Sequence, residues 1–156
     1  MAKGGGTMDK WDRRFMEMAH VIAGWTSCYM EGRSIGCVIV KDKRIMTTGY
    51  NGAPAGLRTC RERQECMRRK LGIASGTRAE LCYAIHAEQN AIINADSAAM
   101  EGATIYIVGV NADGSLASGK PCLLCRRMLR NAKLARVVYY ETDGSVVSCR
   151  PDEIHD

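Results

Sequence analysis

At 156 residues, 46% hydrophobic and 25% charged, the chain has the length and composition of one globular domain with a full core and is too short for two comfortable ones. No apolar run approaches the roughly 20 residues that span a bilayer, which excludes a membrane-crossing helix. A net charge of +5 would suit a polyanion or a phosphorylated small molecule, but the basic residues are spread out apart from residues 61–70, so charge alone selects no function.

In chain order, residues 1–9 read as a flexible N-terminal segment or tag remnant. The stretch up to Met8 is glycine-rich and lacks the apolar core of a secretory signal, so a cytoplasmic protein starting at Met8, with residues 10–156 as its single domain, is expected. Between Trp11 and Thr26, Phe15, Met18, Ala19, Ile22 and Ala23 recur at three- and four-residue intervals, which predicts an amphipathic helix. Residues 35–40 are apolar and partly β-branched, Lys41-Asp42-Lys43 is a polar turn, and residues 44–50 resume a strand pattern, together a hairpin. Residues 51–78 carry glycine-containing turns and a basic patch and read as a long excursion. Then follow a helix over 85–95, a strand over 104–110, a loop over 111–120, a helix over 121–132 and a strand over 135–140. Two successive strand–helix alternations predict an α/β fold of three layers, with helices on the faces of a sheet.

Eight cysteines without an export signal point to metal ligation or catalysis rather than disulfides. Two segments stand out, His86-Ala87-Glu88 and Pro121-Cys122-Leu123-Leu124-Cys125, each at a predicted helix start. Pro121 suits the first helical position and would place Cys122 and Cys125 on one face of the first turn, where the helix dipole favours thiolates. One imidazole and two thiolates make a tetrahedral zinc site with a fourth position open, the catalytic rather than the structural arrangement. Glu88 adds a carboxylate able to take a proton from water, which zinc can acidify to a pKa of about 7. Taken singly, each motif has a plainer reading. The cysteines could be a redox pair or half of a structural site, His86 an ordinary helix-start residue, and Glu88 an acid complementing the dipole. Jointly, H-x-E with P-C-x-x-C is the signature of zinc-dependent nucleobase deaminases.

On these motifs, together with Ile35-Gly36-Cys37-Val38-Ile39-Val40 and Gly49-Tyr50-Asn51-Gly52-Ala53-Pro54, the chain resembles the cytidine and deoxycytidylate deaminase superfamily. The likeness runs from about Phe15 to Tyr140 and is strongest to the dCMP deaminases, including the bacterial late-competence branch. Tyr50 to Pro54 and an insertion at about residues 52–84 favour that branch. The resemblance implies a three-layer α/β/α fold on a mixed sheet of about five strands, one of them near Val146, and a homo-oligomer, often a hexamer. It implies a catalytic zinc on His86, Cys122 and Cys125, with Glu88 protonating N3 and then the departing amine as water attacks C4. The products would be ammonia and dUMP, a supply for dTMP synthesis. It places the Ala87 amide on the pyrimidine carbonyl, Asn51 on the sugar, and Arg33 with Ser34 near the phosphate; Asn51-Gly52 read without it is a plain turn. It also implies dCTP and dTTP as effectors. Lys120 departs from the family, where Ser or Thr commonly precedes the Pro-Cys motif.

Cys60, Cys66 and Cys82 fall in or beside an insertion with too few apolar residues for its own core. With Cys28 they would complete a four-thiolate second zinc site, which related dCMP deaminases carry; the alternative is unconnected free thiols. Cys37 reads as a small buried residue and Cys149 has no evident partner. Two rival functions remain. One is deamination of another cytosine substrate, dCTP, cytidine or a nucleic acid tracked by residues 61–70. The other is a zinc-stabilised binding module without catalysis, which would leave Glu88 with no role.

Overall fold

In a computed structural model of the chain, residues 8–29, 32–74 and 77–155 are described, so the expected N-terminal segment lies outside them except for Met8 and Asp9. Helix α1 (Lys10–Ala23) starts where the Asp9 side chain accepts the N–H groups of Trp11 and Asp12 at 2.9 and 2.8 Å. It stops short of the predicted end at Thr26. Gly24 closes the helix onto the Val21 carbonyl, and the Thr26 hydroxyl turns to Asn51 instead. Strands β1 (Ser34–Lys41) and β2 (Arg44–Tyr50) form the expected hairpin, with Asp42 and Lys43 both at positive φ, as a tight two-residue turn demands.

Within the excursion lie two single-turn helices, α2 (Cys60–Arg63) and α3 (Met67–Lys70), and a 3-10 turn at Ala79–Leu81. Helix α4 (Ala87–Ile93), the short α5 (Ser97–Met100) and strand β3 (Thr104–Val110) follow, then β4 (Leu116–Ala117), α6 (Leu123–Asn131), β5 (Arg136–Tyr140) and β6 (Val146–Cys149). The sheet runs β2-β1-β3-β5-β6, antiparallel except for the parallel pair β3 and β5 joined through α6, and β4 adds a sixth short strand beside the end of β3. The predicted α/β class and the strand near Val146 are both present; β4 falls in the predicted loop.

Alternate residues of β1 serve opposite layers. Val38 and Val40 pack with Phe15, Met16, Ala19 and Ile22 of α1, while Cys37 and Ile39 pack with Ala87 and Ala91 of α4 and Leu129 of α6. Because both faces are covered, the strand reads as a continuous apolar run. Two glycines set the layer spacing: a Cβ at Gly36 would meet the Ala19 carbonyl of α1, and one at Gly49 would meet the Ala87 carbonyl of α4.

Asp12 fastens α1 to the sheet. Its carboxylate accepts two bonds from the Arg136 guanidinium, at 2.9 and 2.8 Å, and one from the Tyr106 hydroxyl at 2.7 Å. The Asp12 side chain is 8% exposed and that of Arg136 36%. Asp12→Asn should lower unfolding free energy by about 2–4 kcal/mol, less than the loss of a fully buried pair because Arg136 still reaches solvent. Arg136 holds the Asp12 carboxyl below its usual 3.8, so this stabilisation is present above that value and is lost as pH falls through the depressed folded value. Denaturant melts of both proteins from pH 7 to pH 3 check it: the gap between them should narrow on acidification, and a gap indifferent to pH assigns the loss to packing.

Candidate active site

Helices α4 and α6 begin side by side on the same face of the sheet, and each begins at a residue able to bind metal. His86 is the N-cap of α4, with φ −66° and ψ 152°, and Cys122 is the N-cap of α6, with φ −67° and ψ 166°. Cys122 Sγ accepts the Cys125 N–H at 3.5 Å, a bond that requires an extended, non-helical residue. Pro121 therefore stands one residue before the cap and not, as expected, at the first helical position. The start of α4 is also later than predicted, because Ile85 pairs with Gly52 through backbone bonds of 2.8 and 3.1 Å. The Gln89 side chain accepts the His86 N–H at 3.0 Å, and Asn90 donates to the Tyr50 carbonyl at 2.9 Å, tying α4 to the end of β2.

These starts bring the His86 Nδ1 atom to 3.5 Å from Cys122 Sγ and 3.4 Å from Cys125 Sγ. Among the described residues, His86, Cys122 and Cys125 form the group of His, Cys, Asp and Glu side chains whose ligand atoms all lie within 4.8 Å of one another. Glu88, two residues beyond the cap, is 5% exposed. A cavity of about 650 Å³ opens onto His86, Glu88 and Cys122, with Ala87, Asn51 and Arg33 also in its lining. The donor set fits zinc: one imidazole nitrogen and two sulfurs are gathered at contact distance, and three protein donors leave a tetrahedral ion one position short.

Residues 9–141 match the family described as the cytidine and deoxycytidylate deaminase zinc-binding region. The chain belongs to this deaminase family. It is 36% identical over 134 residues to the deoxycytidylate deaminase of Mycobacterium phage D29, covering 83% of this chain and 93% of that one. It is 30% identical to ComE operon protein 2 of Bacillus subtilis, covering 85% and 60% respectively. The dCMP deaminase of cyanophage S-TIM5, solved in complex with dCMP and dUMP, shares the fold with a TM-score of 0.59 at 21% identity, over 89% of this chain and 90% of that one. Cytidine deaminase from Burkholderia pseudomallei likewise shares it, with a TM-score of 0.59 at 19% identity, over 94% and 95%.

The electrostatics suit the zinc-binding role of the family. Hydrogen bonds from Cys125 and His86 hold the Cys122 thiol down at about 3, while Cys125, the proton-bearing partner, is pushed up strongly by that bond and by burial. A lowered thiol favours the thiolate form that binds zinc. The bond to Cys122 raises His86 against the opposing effect of burial. Burial raises the Glu88 carboxyl, opposed by a hydrogen bond with Cys125.

Of the other predicted residues, Arg33, Asn51 and Ala87 line the cavity, whereas Ser34 opens β1 opposite Val110 and is not in that lining. Asn51 is a hub. Its Oδ1 accepts from the Thr26 hydroxyl at 2.8 Å and the Ile35 N–H at 2.9 Å, and its Nδ2 donates to the Arg33 carbonyl at 2.7 Å and Cys28 Sγ at 3.2 Å. Cys28, Cys60, Cys66 and Cys82 share the wall of the same cavity. Burial first, and then the neighbouring Cys82, Cys60 and Cys66, push the Cys28 thiol up to about 11. Their sulfurs are gathered less tightly than the His86 group. Cys37 is buried, as expected. Reading motifs alone passed over Gly49 as a spacer, although the close approach of α4 to β2 depends on it, and Arg68 and Arg69, whose only signal was the basic run at 61–70.

Proposed function

We propose that the chain hydrolyses dCMP to dUMP and ammonia, with zinc held by His86, Cys122 and Cys125 and Glu88 as the proton carrier. The convergence of two capped helix starts, which sets an imidazole 3.4–3.5 Å from two sulfurs beside a buried carboxyl, carries this reading. Zinc in that place supplies the Lewis acidity that makes water a nucleophile near neutral pH. Glu88 takes one proton of the attacking water and delivers it to N3 of the ring, then takes the remaining proton from the hydroxyl formed at C4 and passes it to the amine, which leaves as ammonia while C4 becomes a carbonyl. A carboxyl raised by burial is suited to both holding and giving up that proton. Ala87, in the first turn of α4, has an N–H with no intrahelical partner to offer the pyrimidine carbonyl. Asn51, its amide engaged on four sides, fixes the wall against which the sugar rests, and Arg33, which lines the same cavity, stands toward the phosphate, whereas Ser34 lies outside that lining. Zinc-loaded protein given dCMP should form dUMP and ammonia in equal amounts; failure to form dUMP defeats the reading.

The neighbouring cysteines extend the proposal to a second, structural zinc on Cys28, Cys60, Cys66 and Cys82, supported by their common wall and mutual proximity. Elemental analysis of fully loaded protein should then find two zinc ions per chain, and one would sink the second site. Regulation by dCTP and dTTP belongs to the same reading; activity hyperbolic in dCMP and indifferent to both nucleotides would remove it. A cytoplasmic homo-oligomer, with a hexamer foremost, completes it. Val21, 55% exposed on α1, and Trp25, 59% exposed just beyond its end, give an apolar outer surface available to another subunit, and no helix of the described residues is long and apolar enough to cross a membrane.

A further inference from the structure

The cavity beside the metal ligands is cationic to a degree that the deamination chemistry does not require. Its lining contains Arg33, Arg68, Arg69 and Lys120, against the single carboxylate of Glu88. The basic run that contributes to it is divided by the fold. Lys70 pairs with Glu65 at 3.1 Å, and Arg63 lies over the Tyr83 ring, 4.5 Å from its centroid. Arg68 pairs with no carboxylate among the described residues. Its Nη2 donates to the Ala74 carbonyl at 2.9 Å, while its Nε is buried with no hydrogen-bond partner there. A buried donor left unmet is costly, so a ligand oxygen that reached it would satisfy it.

The segment also holds Arg68 in position. The Ile73 N–H returns to the Arg68 carbonyl at 2.8 Å, the Lys70 N–H bonds to the Cys66 carbonyl at 2.9 Å, and Cys66 itself is part of the cavity wall. Arg68 lines the same cavity as the metal ligands His86 and Cys122. A guanidinium presents Nε–H and an Nη N–H as a planar fork that matches two oxygens of a phosphate.

We propose that Arg68 binds the 5′-phosphate of the nucleotide and is the residue that makes this site prefer a nucleoside monophosphate to the bare nucleoside. The assignment rests on the deaminase reading of the cavity and gives the insertion a direct part in substrate choice. The test uses zinc-loaded protein and two ligands, dUMP and deoxyuridine, measured by calorimetry in wild type, Arg68→Ala and Arg68→Lys. Removing the fork should weaken dUMP roughly ten- to hundredfold and leave deoxyuridine unchanged. Arg68→Lys should fall between, since an ammonium keeps the charge and loses the planar pair. If Arg68→Ala keeps the wild-type preference for dUMP, or if both variants lose the two ligands equally, the assignment is overturned. Wild-type protein that prefers dUMP yet releases no ammonia from dCMP refutes the deamination reading alone and leaves the phosphate contact standing.

Discussion

Glu88→Gln protein should keep its zinc and lose ammonia release from dCMP by about a thousandfold or more, the scale of a positioned acid–base group. The separation of the two properties follows from the geometry. Glu88 lies beside the three gathered donors but is not one of them, so an amide in its place leaves the imidazole and both sulfurs where they are. Glutamine has nearly the same shape and, unlike the carboxylate, cannot take a proton from water or pass one to N3 and the leaving amine. The carboxyl is buried, and replacing it by a neutral amide removes a group whose charged form is costly there, so the fold should not suffer. Zinc content and ammonia release measured on one preparation check the prediction. Full activity in Glu88→Gln would remove Glu88 from the mechanism, and loss of zinc together with activity would make it part of the metal site.

Cys122→Ala should show the opposite pattern, losing the zinc at this site and, with it, activity to a similar extent. Cys122 has two functions at the start of α6: its sulfur lies 3.5 Å from His86 Nδ1, and it accepts the Cys125 N–H that caps the helix. Its thiol is also the lowered one of the pair, so its removal takes away the more readily ionised sulfur along with one of three donors. Loss of the cap should cost about 1 kcal/mol, too little to unfold the domain. Cys122→Ser, which restores a capping oxygen without a thiolate, should recover the stability and not the metal. Zinc analysis, thermal melting and ammonia release distinguish these effects. A Cys122→Ala protein that retains the zinc of this site and deaminates dCMP would exclude Cys122 as a ligand.

Much of this arrangement was legible in the residues. The spacing of Phe15, Ala19 and Ile22 specified α1, the β-branched run of β1 specified a strand covered on both faces, and the two motifs specified the metal-binding group. Element ends were less legible because tertiary contacts decide them. Thr26 leaves the helical path for Asn51, and Cys122 becomes a cap, displacing Pro121 from the helix. The excursion hid α2, although Thr59 and Glu62 stand at the spacing of a capping box and do bond to each other's backbone N–H groups at 2.9 and 3.1 Å. A single turn has no periodicity to detect. The sharing of one cavity by Arg68 and His86 was beyond reach for a different reason: they stand 18 positions apart in sequence, and only the packed fold brings both to its lining.

Ammonia release measured side by side from dCMP, dCTP, cytidine, cytosine and single-stranded DNA is the most direct test of dCMP deamination. Zinc-loaded protein should act on dCMP far faster than on the other four and should stop when the metal is removed and resume when zinc is restored. Faster release from any of the other four would assign the same zinc chemistry to a different substrate, and no release from all five would contradict deamination itself.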